Sequence, residues 1–162
     1  MGEESWDLTH TKERIAKVAV RLFSRKGFKG TTMKDIASEV GITEGAIYRH
    51  FASKEDIIRY LTKEITEELN RLIAVEVLPQ KTFREKVARL VEVLMGYALT
   101  NPDKFRYLTV YHILREELSQ EDLPGRRILE IFKTAYREGD TDLIPEIALS
   151  YSYRLCRQDL SY

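Results

Sequence analysis

Cysteine occurs once in these 162 residues, at Cys156, so no internal disulfide framework can form and the chain fits a reducing compartment. Proline occurs only four times and glycine eight times, and no long alternating β-branched run exists. That scarcity argues against a sheet-built domain and predicts a nearly all-helical chain. No apolar run approaches the length of a membrane span, and the opening MGEESWDLTH has no apolar leader core, so a cytoplasmic location without membrane contact is expected. A glycine-rich phosphate loop after a strand and a zinc-type Cys/His spacing are both missing. Cys156 and His112 do not by themselves make a nucleophile and base, so catalysis, a metal and a cofactor are not expected.

Net charge is zero too, yet the charges are unevenly spread. Thr9 to Lys54 holds ten Lys or Arg against four Asp or Glu, whereas residues 55–162 hold sixteen against nineteen. A basic face joined to a neutral or acidic body suits nucleic acid, because phosphate attraction depends on local positive charge. A merely solvated basic helix face would look the same.

What the chain does contain is centred on TTMKDIASEVGITEGAIYRHF, Thr31 to Phe51. Thr32 and Asp35 are spaced close to a capping box, and Met33, Ile36, Ala37 and Val40 form one apolar face. Gly41 supplies the left-handed stop, Thr43 caps a second helix, and Ile42 and Ile47 point inward. Thr43, Gly45, Ala46, Tyr48, Arg49 and His50 are left facing out. Small and polar residues at the start of such a helix, with a cation and a phenol beyond, suit the DNA major groove. An αα-corner that binds nothing can carry the same pattern. Upstream, a helix is expected over 11–26, capped by Thr11, with Ile15, Val18, Ala19, Leu22 and Phe23 inward and Lys12, Arg14, Lys17, Arg21, Arg25 and Lys26 outward. Downstream, Ser53 caps a fourth helix whose apolar stripe runs from Ile58 to Ile73.

The LFSRKGF ending of the first helix followed by TTMKDIASEVGITEGAIYRHFASKEDII closely resembles the DNA-binding domain of TetR-family transcriptional regulators. The shared features are Gly27 and Phe28, the Thr31-Thr32 pair, the Ala37, Gly41 and Ile47 spacing, the Tyr48 to Phe51 run, and Lys54. The resemblance covers about a third of the chain. It implies an all-α fold with a helix-turn-helix domain over residues 1–54 and a helical effector-binding and dimerisation domain over 55–162. It further implies a homodimer on inverted-repeat double-stranded DNA, released by a small-molecule effector. By resemblance Thr43, Gly45, Ala46 and Arg49 lie nearest base edges, and Thr32, Tyr48, His50 and Lys54 contact phosphates. Lys34 and Glu44 complete the DNA-facing candidates. Arg49 either reads a guanine through its fork or contacts backbone.

Beyond the PQKT linker, helices are expected over Phe83 to Leu99, from Pro102 onward with Asn101 as cap, and from Ile128 to Gly139, with an eighth after Asp142. Met95, Tyr97, Leu108, Tyr111, His112, Phe132 and Tyr136 are the candidate ligand-lining residues, mostly apolar, which favours a hydrophobic ligand with His112 as polar anchor. Each could equally be plain core. The family usually closes with two long dimerising helices; only one fits before Tyr162, and its polar end is poor material for a central seam. The resemblance makes a repressor the leading expectation. An activator, or an interaction protein that keeps the fold without binding an operator, stays open.

Overall fold

The computed structural model describes residues 3–113 and 124–142. Seven α-helices are seen there and no strand: α1 (Glu3–Lys26), α2 (Met33–Val40), α3 (Glu44–Tyr48), α4 (Lys54–Leu72), α5 (Phe83–Thr100), α6 (Pro102–Ile113) and α7 (Pro124–Glu138). A π-helical turn, Ile73–Val77, follows α4. The expected eighth helix and Cys156 lie outside the described residues.

α1 begins at Glu3, eight residues before the cap expected at Thr11. No proline or glycine interrupts the sequence from Glu3 to His10. The shorter helices are fixed by their ends. Thr32 and Asp35 form a complete capping box, Gly41 ends α2 at φ 80°, and Thr43 caps α3 by accepting from the Ala46 amide.

The chain forms two compact units, Met1–Glu64 with Asp103–Val110 and Ile65–Pro102 with the remainder. In the first, Ile15, Ala19, Phe23, Ile36, Ala37, Ile47, Phe51, Ile57 and Leu61 make the core around which α1, α2 and α3 cross. Tyr107 of α6 completes it. The ring is fully buried edge-on to Phe28 at 5.5 Å, and the hydroxyl donates to Ile58 O at 3.0 Å and lies 2.9 Å from Thr62 Oγ1.

In the second unit, Ile73, Val77, Leu90, Val93 and Ile131 form the core, edged by Leu72, Phe83, Leu94 and Ile128. The π-helical turn keeps Ile73 and Val77 on the buried side after Leu69. Its widened register is closed by the Leu78 amide on Ile73 O at 3.0 Å. Arg89 of α5 pairs with Glu76 on this turn and with Glu92. α5 starts at a second capping box, Thr82 with Glu85, and α7 stops at Gly139, φ 77°.

Candidate nucleic-acid interface

The helix-turn-helix presents its expected outer surface. Ile47 of α3 is fully buried, while Thr43, Glu44, Gly45, Tyr48 and Arg49 are exposed and Ala46 and His50 half-exposed. A Cβ on Gly45 would meet only Thr43 Oγ1, at 4.0 Å, so nothing bulky stands at this point of the face. Thr32 and Lys34 are exposed at the start of α2, and Lys54 is half-buried at the start of α4. All ten candidates thus sit in one unit, on α2 and α3 and their N-caps, the residues just after α3 and the first residue of α4.

The chemistry of several candidates is already partly committed within the protein. The Thr32 hydroxyl lies 2.7 Å from Asp35 Oδ2 and accepts from the Asp35 amide at 3.1 Å, while the Thr32 amide donates to Asp35 Oδ2 at 2.8 Å. These bonds from Thr32 hold the Asp35 carboxyl below its ordinary range. Lys54 Nζ donates to Phe28 O at 2.7 Å and to Thr31 O at 3.1 Å.

The basic face of α1 is likewise reduced. Arg14 donates to Val40 O at 2.9 Å, satisfying a terminal carbonyl of α2, and Arg21 pairs with Glu39. Lys12 stands 5.2 Å over the Phe51 ring and 4.5 Å over Tyr60. Lys17, Arg25, Lys26 and Lys29 remain exposed, as do Lys34 and Arg49. Helical periodicity placed Lys12, Arg14 and Arg21 on the outward face; it carried no information about their partners on other helices.

The ligand-lining candidates whose side chains are described belong to both units and differ in exposure. Met95 and Tyr136 are exposed, Leu108 is buried in the first unit, and Phe132 packs edge-on to Phe83 at 5.3 Å. Tyr97 is buried with its hydroxyl donating to Glu68 at 3.1 Å, and burial together with that carboxylate pushes its phenol far above the ordinary value. The side chains of Tyr111 and His112 lie outside those described. A cavity of about 320 Å³ in the second unit is lined instead by Leu78, Lys81, Phe83, Lys86, Arg127, Glu130, Ile131, Thr134, Ala135, Glu138 and Asp140. Those lining residues come from segments far apart in sequence, and single-helix patterning gave no signal of the cavity. Among the described residues no acidic, His or Cys cluster could hold a metal, and no helix is long and apolar enough to cross a membrane.

A capped two-helix corner with a short outward helix defines the class: an all-helical protein with a helix-turn-helix domain. Residues 15–61 match the family model described as bacterial regulatory proteins, tetR family. Residues 15–61 are thus similar to the N-terminal domain of that family. The chain is 53% identical over 51 residues to the uncharacterized HTH-type transcriptional regulator YerO of Bacillus subtilis, a match covering 32% of this chain and 18% of that protein. It is 42% identical over 62 residues to the biofilm operon negative transcriptional regulator IcaR of Staphylococcus aureus, covering 38% of this chain and 33% of that protein. The matches thus reach a third or less of these relatives' own length. The fold is similar to a crystal structure of a gamma-butyrolactone receptor, an ArpA-like protein, with TM-score 0.74 and 22% identity over 94% of this chain and 81% of that one. These relatives are named as regulators or receptors, not as enzymes.

Proposed function

We propose that the chain is a sequence-specific DNA-binding transcription regulator, a cytoplasmic repressor that binds an inverted repeat as a homodimer and is released by a small hydrophobic effector. The observation that carries this is the α2–α3 corner: Ile47 anchors α3 inward, while Thr43, Gly45, Tyr48 and Arg49 stand exposed on a face with no bulk in its first turn. Thr43, Gly45, Ala46 and Arg49 meet base edges, Thr32, Tyr48 and His50 lie along the flanking backbone, and Lys34 and Glu44 complete the DNA-facing set. Residues 1–54 form the reading head, and 55–162 receive the effector and pair the protomers.

The repressing direction is supported by the name of IcaR as a negative regulator, and ligand release by the receptor named among the fold neighbours. Within the second unit, the 320 Å³ cavity offers an apolar floor of Leu78, Phe83, Ile131 and Ala135. On α4 of that unit, Thr66 Oγ1 and Asn70 Oδ1 are buried without a hydrogen-bond partner, polar capacity that an effector could satisfy.

The test is selection of bound sequences from a random duplex pool with the full chain at moderate salt. Enrichment of an inverted repeat is expected. A lone half-site would mean that the reading head works unpaired, and no enrichment would select the interaction-protein alternative.

A further inference from the structure

We infer that Lys54 is a positioning residue for DNA binding rather than a phosphate ligand: its ammonium holds the peptide that leads into α2. This rests on the proposed DNA-binding function. Lys54 is the first residue of α4, where a cation opposes the helix dipole, so its place is not explained by the stability of α4 itself. Its Nζ instead reaches back to Phe28 O at 2.7 Å and Thr31 O at 3.1 Å, carbonyls of the turn between α1 and α2.

That turn is constrained from every side. Gly27 adopts φ 72°, and a Cβ on Gly30 would stand 2.4 Å from Lys26 O, so only glycine fits there. Thr31 is fully buried and its hydroxyl donates to Gly27 O at 2.9 Å. The peptide joining Thr31 to Thr32 is gripped at both ends. Lys54 donates to its carbonyl at 3.1 Å, and its amide donates to Asp35 Oδ2 at 2.8 Å. A charged partner on each end polarises the same peptide, so the two bonds reinforce one another. The next residue, Thr32, is the cap of α2, and α2 carries α3. Two of the three ammonium protons are therefore spent on fixing the direction in which the helix-turn-helix leaves α1.

The test compares wild type with Lys54→Met, which keeps the stem, and Lys54→Arg, which keeps the charge. Binding of a labelled mixed-sequence duplex about thirty base pairs long, enough for two half-sites, is followed across a salt series, with folded fraction monitored by circular dichroism. The expected result is a roughly tenfold loss of affinity for fully folded Lys54→Met, partial recovery in Lys54→Arg, and a salt slope equal to wild type. A slope shallower by about 0.9 in Lys54→Met would make Lys54 a phosphate ligand and overturn the inference. A lowered melting temperature with unchanged affinity would reduce it to a stability residue and also overturn it. If wild type binds no duplex at any salt, the proposed function fails and the DNA role of Lys54 falls with it, an outcome separable from the other two because it appears before any substitution.

Discussion

Tyr107 shows how one side chain can complete a core that its own helix does not announce. Its hydroxyl serves Ile58 O and Thr62, and its ring faces Phe28 and Phe23. Tyr107→Phe should destabilise the first unit by about 1 kcal/mol, read as a lower midpoint in urea unfolding, because two buried hydrogen bonds are lost while Ile58 O keeps the Thr62 hydroxyl as a donor at 2.9 Å. Asp35 makes a pH prediction. Its folded pKa lies below the ordinary value of 3.8 because Thr32 hydrogen-bonds the charged form. The stability it adds is therefore fully present above that ordinary value and is lost as pH falls through the folded one. Asp35→Asn should weaken that acid-side loss, and thermal unfolding at a series of pH values between neutral and 3 would show it. At the DNA face, Arg49→Ala should relax base preference at one position by about 1–3 kcal/mol if the guanidinium reads a guanine. Competition between enriched and single-substituted duplexes measures that; an unchanged preference would reassign Arg49 to the backbone.

At the level of elements, the local signals were legible and the distant ones were not. Thr32 with Asp35, Gly41 and Thr43 could be read directly, because capping and left-handed stops act within a few residues. Gly41→Ala should therefore cost about 1 kcal/mol or more, seen in chemical denaturation, since φ 80° admits a Cβ only under strain. The same reasoning placed Pro102 at the head of α6 and Gly139 beyond α7. It misplaced the start of α1, where no residue marks a boundary and Thr11 is an ordinary helical position. It could not foresee Arg14 on Val40, Lys54 on the α1–α2 turn, or Tyr107 against Phe28, whose partners are 26, 26 and 79 residues away. The π-helical turn was also hidden, since Ile73 and Val77 fit an ordinary helical stripe equally well until packing fixes their register.

Over the whole molecule, the candidate DNA-facing residues fall in one unit because they share one short motif, whereas the described ligand-lining candidates belong to both units and include buried and exposed side chains. Apolar and aromatic residues on a helix face serve core, cavity and surface alike, and the pattern within one helix does not distinguish them. Tyr97 is core, Met95 is surface, and the cavity draws on Leu78, Phe83 and α7. If the second unit receives an effector, that compound should raise the melting temperature with concentration, because it binds the folded chain, and separately lower the affinity for DNA through coupling between the two sites. A compound that does the first without the second binds the folded chain but is not an effector.

The central claim is that the outward face of α2 and α3 meets DNA through local positive charge in a chain of zero net charge. The most direct measurement is fluorescence anisotropy of a labelled duplex titrated with the full chain over a range of salt concentrations. The expected result is saturable binding whose log affinity falls linearly with log salt, by about 0.9 for each phosphate neutralised. Absence of binding at low salt, from a chain that circular dichroism shows to be folded, would contradict it.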